Sequence, residues 1–139
     1  MSIGSKELLL AALLAGLAIA PAVANEAETM YIKAAALSKL AAAVQATVYR
    51  GLPDDLSEDT LLYVASRHDP DLLDPFAAYA LRARRENRQT SVLLCTADRS
   101  LRLVEDAGCT AKLDRHYWRD SEAAACEFAQ PLAAICAGH

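Results

Sequence analysis

The chain is poor in the residues that announce chemistry. Its 139 residues hold one tryptophan, three histidines, five glycines and five prolines. It has no C-x-x-C pair, so neither a thioredoxin-like redox motif nor covalent haem attachment is supported. The four cysteines are separated by 14, 17 and 10 positions, which offers no close C-x₂₋₄-C pair for structural zinc. No G-x-S-x-G elbow is present, and the glycines are too scattered to cradle a phosphate. Asp69, Asp71 and Asp74 lack the central glycine and closing glutamate of a calcium loop, so they read as turn and capping residues. His68, His116 and His139 form no recognisable ligand set. These gaps lead us to expect no metal, no cofactor and no enzyme. Positive charge is also scarce: a net charge of −4 argues against nucleic acid, which needs a dominant basic face.

The N-terminus carries a positive signal. Lys6 precedes an uninterrupted apolar run from Leu8 to Ala20, Pro21 breaks it, and Ala22-Val23-Ala24 supplies small residues. The run is shorter than the roughly 20 residues a membrane-spanning helix needs, so 1–24 reads as a secretory signal peptide cut near Ala24. The domain would then be 25–139, a single helix-rich globular unit with no membrane span. We expect a bacterial periplasmic or secreted location.

Export changes how the cysteines are read. Cys95, Cys109, Cys126 and Cys136 are an even set confined to the last third of the chain. In an oxidising compartment they predict two disulfides, with three possible connectivities. A hairpin would bring Cys95 opposite Arg102 or Leu103 and leave Cys109 up to about 20 Å further along an extended strand. Direct Cys95–Cys109 bonding would need a reversal at Gly108; bridges to the last helix are equally natural.

The rest of the chain predicts a mainly α protein, a small helical bundle, with one β-hairpin near 91–105. Leu37, Leu40, Val44 and Val48 recur at helical spacing from Glu26 to Arg50, and Gly51 and Pro53 end that helix. Ser57 should cap a second helix through Ser66. Asp74-Pro75 should open a third to about Asn87, burying Phe76, Tyr79, Ala80 and Ala83. "SVLLC" is apolar on both faces of a strand and should be covered on both sides. "LRLVED" alternates as its partner. A last short helix is expected from Asp120 or Ser121 to Gln130, carrying Cys126 and closed by Pro131.

Charge is unevenly placed. Residues 54–74 hold seven carboxylates against Arg67, a net of −6, while "RARRENR" at 82–88 carries +3. Either the two neutralise each other within the fold, or the acidic segment docks a basic partner. On the second reading Asp54, Asp55, Glu58 and Asp59 face the partner, with Tyr117 and Trp118 as an aromatic anchor. The sequence thus predicts an exported, non-catalytic protein-binding module. An immunity or inhibitor protein against a secreted or cell-wall-directed enzyme is the preferred form. Its rivals are an accessory subunit of an envelope secretion or conjugation machine, and a small hydrolase using His116.

Overall fold

The computed structural model describes residues 29–109, 125–129 and 131–137. The expected signal peptide at 1–24, His116, Tyr117 and Trp118, and the expected helix start at Asp120 or Ser121 lie outside them. The chain divides into two units, Met1–Ile32 and Lys33–His139. Of the first, only 29–32 is described, and it is helical. The second holds the sheet and both disulfides.

Helix α1 spans 29–49. Its stripe of Leu37, Leu40, Val44 and Val48 is buried, as their spacing requires. Gly51 ends the helix at φ 95°, a conformation that glycine adopts at little steric cost. Helix α2, Glu58–Ser66, is capped by Ser57, whose side chain accepts from the Thr60 N–H at 3.3 Å. Leu61 and Leu62 form its buried side.

The mainly α expectation is overturned. Three strands, β1 (Tyr79–Glu86), β2 (Gln89–Thr96) and β3 (Arg102–Ala107), form an antiparallel sheet in the order β1-β2-β3. The predicted third helix does not form. Asp74 and Pro75 belong to a 3-10 helix, Pro70–Phe76, and the rest of that stretch is β1. Phe76, Tyr79, Ala80 and Ala83 sit at helical spacing, but Ala80 and Ala83 are buried on opposite faces of a strand covered on both sides. Such a strand shows no clean alternation. Asn87 at φ 55° makes the tight turn into β2, with Glu86 opposite Gln89. Pairing along eight positions then overrides the local helix preference.

The central strand β2 is buried from Thr90 to Cys95, covered on both faces as expected. Cys95 lies opposite Arg102, beside a register shift. Ala80, Leu93 and Cys95 on one face pack against Cys126 and Phe128, and Ala107 packs against Leu132 and Cys136. On the other face Thr90 meets α1, giving its N–H and hydroxyl to Gln45 Oε1 at 3.1 and 2.9 Å. Gln45 Nε2 in turn donates to the Arg88 carbonyl.

Two disulfides are formed, Cys95–Cys126 and Cys109–Cys136. Residues 125–129 are not helical, so Cys126 is not on a helix. Pro131 opens helix α3 (Leu132–Cys136) rather than closing one. A proline lacks the N–H that a first turn would leave unbonded anyway, so it suits that end. Among the described residues no helix is long and apolar enough to cross a membrane.

Candidate functional site

The acidic segment is positioned by arginines of β1. Arg85 Nη1 donates to the carbonyls of Leu52 and Pro53 at 2.9 and 3.1 Å, and its Nε donates to the Asn87 carbonyl at 2.7 Å. Its Nη2 meets Asp54 Oδ1 at 2.7 Å. Arg82 donates through Nε and Nη2 to the two oxygens of Glu58, at 3.3 and 2.8 Å. That pairing pushes the Arg82 guanidinium above its ordinary pKa, the hydrogen bond to Glu58 outweighing the effect of burial. Arg82 and Arg85 leave opposite faces of β1, yet both end on residues 52–58. Side chains from both faces of β1 thus anchor that stretch.

Of the expected partner-binding residues, the structure brings Asp54, Asp55, Glu58 and Asp59 to one short stretch. Two of them, Asp54 and Glu58, answer β1 arginines. Asp55 and Asp59 are exposed and form no ion pair among the described residues. Internal neutralisation by the basic run thus holds for Asp54 and Glu58.

Beside α2 lies a cleft of about 410 Å³ lined by Ser57, Glu58, Asp59, Arg82, Arg99 and Cys126. Arg82 Nη1 donates to the Cys126 carbonyl at 3.0 Å, joining the disulfide-tethered segment to the acidic one. The Arg82 and Arg84 guanidiniums lie 5.3 and 4.8 Å from the Phe128 ring centroid, a cation–π arrangement. Arg84 also meets the buried Glu105 at 3.3 Å, and Glu105 accepts from the Ala129 N–H at 3.1 Å.

Arg99 was not singled out from the sequence. It sits at φ 60° in the turn between β2 and β3, where its N–H donates to the Thr96 carbonyl at 2.8 Å. Asp98 Oδ1 accepts from the Thr96 hydroxyl, the Ser100 N–H and the Ser100 hydroxyl at 2.7, 3.0 and 2.7 Å. These bonds, those from Ser100 foremost, lower the Asp98 pKa to about 2. The T-x-D-x-S pattern in "TADRS" was the available signal, since Asp and Ser side chains close turns on their own backbone. Tyr63, 65% exposed, was also passed over. It stands one helical turn beyond Asp59 and shares its side of α2.

Among the described residues no three His, Cys, Asp or Glu groups converge as a metal site. No protein-family model, curated protein or solved structure matches this chain.

Proposed function

We propose that this chain is an exported, disulfide-bonded, non-catalytic module that recognises another protein through its acidic surface. The preferred form is an inhibitor or immunity protein whose target is a secreted or cell-wall-directed enzyme with a basic face. One observation carries the reading. Arg85 and Arg82 hold residues 52–58 in place from both faces of β1, while Asp55 and Asp59 stay exposed. A surface ordered before binding loses less entropy on binding, and its charge speeds the encounter with an oppositely charged partner. Export is supported by both cysteine pairs being bonded, as suits an oxidising compartment.

The test reverses Asp55 and Asp59 to lysine, which leaves both arginine pairs intact. Partner capture from the native periplasm should weaken at least about tenfold and become less salt-sensitive. Unchanged capture removes the acidic surface from the proposal. N-terminal sequencing of the periplasmic protein should begin at Asn25.

A further inference from the structure

We propose that the cleft beside α2 binds a small zwitterion, an amino acid or short peptide, whose carboxylate pairs with Arg99 and whose ammonium pairs with Asp59. The inference goes beyond recognition of a protein partner and does not rest on it.

The lining selects this chemistry. Two acidic residues, Glu58 and Asp59, and two arginines, Arg82 and Arg99, line one space of about 410 Å³. A simple anion would meet the two carboxylates, and a simple cation the two guanidiniums. A dipolar ligand satisfies both signs. The four groups are not equally available. Arg82 and Glu58 engage each other, and the remaining Arg82 nitrogen holds the Cys126 carbonyl. Asp59 and Arg99 have no ion pair among the described residues, so they are the two charges left for a guest. A guanidinium takes a carboxylate through two parallel hydrogen bonds, which a lysine there could not do.

Both groups are presented on rigid supports. Asp59 lies in the first turn of α2, behind the Ser57 cap. Arg99 lies in the turn that Asp98 ties together with three hydrogen bonds. Its backbone conformation is uncommon for a residue with a side chain, and the Asp98 bonds keep it there. The space also fits: pockets for small ligands run from about 300 to 1,000 Å³, and an amino acid or dipeptide fills the lower end.

NMR titration of the isotope-labelled, oxidised protein tests this with glycine, 4-aminobutyrate and glycylglycine as probes. Acetate and methylammonium, separately and mixed, are the controls. At least one zwitterion should give saturable shifts at the amides of 57–59 and 98–100, at least about tenfold tighter than either control. Arg99→Ala and Asp59→Asn should each weaken it by about tenfold or more, whereas Asp71→Asn, outside the cleft, should not. Both altered residues are exposed, so the fold survives the changes. Three results overturn the proposal: no saturable shift up to about 100 mM of any zwitterion, acetate binding as tightly, or Arg99→Ala binding unchanged. None of them bears on the Asp55 and Asp59 capture experiment, which reports on the protein partner.

Discussion

Adding one methyl group at Gly108 is expected to destabilise this protein strongly. Gly108 follows β3, where its N–H donates to the Thr90 carbonyl at 2.8 Å and the chain passes directly beneath α1. A Cβ there would stand 2.7 Å from Gln45 Cβ, 2.7 Å from Thr90 Oγ1 and 2.9 Å from the Ala41 carbonyl oxygen. Non-bonded carbon atoms prefer about 3.5–4.0 Å, so α1 would have to retreat by close to 1 Å. A Cβ and a carbonyl oxygen cannot swing aside, and Thr90 Oγ1 is held by its bond to Gln45. The retreat would also stretch the two bonds that Thr90 gives to Gln45. Overpacking costs about 1–3 kcal/mol and each weakened buried hydrogen bond about 1 kcal/mol, so Gly108→Ala should lose about 3 kcal/mol. For a domain of this size that lowers the melting temperature by about 12–24 °C. Thermal unfolding followed by far-UV circular dichroism, under oxidising conditions, measures it. Gly51→Ala is the comparison: nothing lies within 4 Å of its Cβ, but φ is 95°, so only backbone strain of about 1–2 kcal/mol applies. If Gly108→Ala melts within about 3 °C of the parent, the close approach of β3 to α1 is wrong.

Three further outcomes are expected. Asp98 should titrate near 2, against an ordinary value of 3.8. Its folded-state pKa is depressed, so its contribution to stability is present above about 4 and lost as pH falls through 2; an NMR midpoint near 4 would contradict the turn. Replacing Cys95 and Cys126 by alanine opens a loop of 31 positions. By chain entropy that costs about 3.7 kcal/mol, and an unchanged melting temperature would show the bond does not constrain the fold. Arg85→Ala removes the donor to two loop carbonyls, so amide exchange at 54–58 should accelerate at least about tenfold. Asp54→Ala should change it little, because that side chain is 89% exposed and surface ion pairs contribute about 0–1 kcal/mol; equal effects would mean the ion pair, not the carbonyl bonds, holds the loop.

Helices α1 and α2 were legible because their signals are local. An apolar stripe, a Ser57 cap and a terminating Gly51 all act within a few residues. The central strand was legible because an apolar run of that length can only be covered on both faces. Strand β1 was not. Its buried residues imitate a helical spacing, and what makes it a strand is its partner, β2, across a turn at Asn87. Pro131 misled for a related reason, since proline suits the start of one helix as readily as the end of another. At the candidate site the carboxylates could be named from charge alone. Arg82 and Arg85 were visible only as part of a basic run, and Arg99 only as a position in the "TADRS" turn, because a cleft is a property of several segments together.

By itself the sequence determined an even set of four cysteines, a covered central strand, two capped helices and an acidic stretch next to a basic one. Those follow from composition and from the periods of helix and strand, which are properties of neighbouring residues. Only the tertiary structure decided that Cys95 joins Cys126 and Cys109 joins Cys136, that Arg82 and Arg85 answer Glu58 and Asp54, and that Asp59 and Arg99 share a cleft. Covalent sulfur bonds, ion pairs and clefts depend on distances through space, and chain order sets those distances only after the sheet has formed.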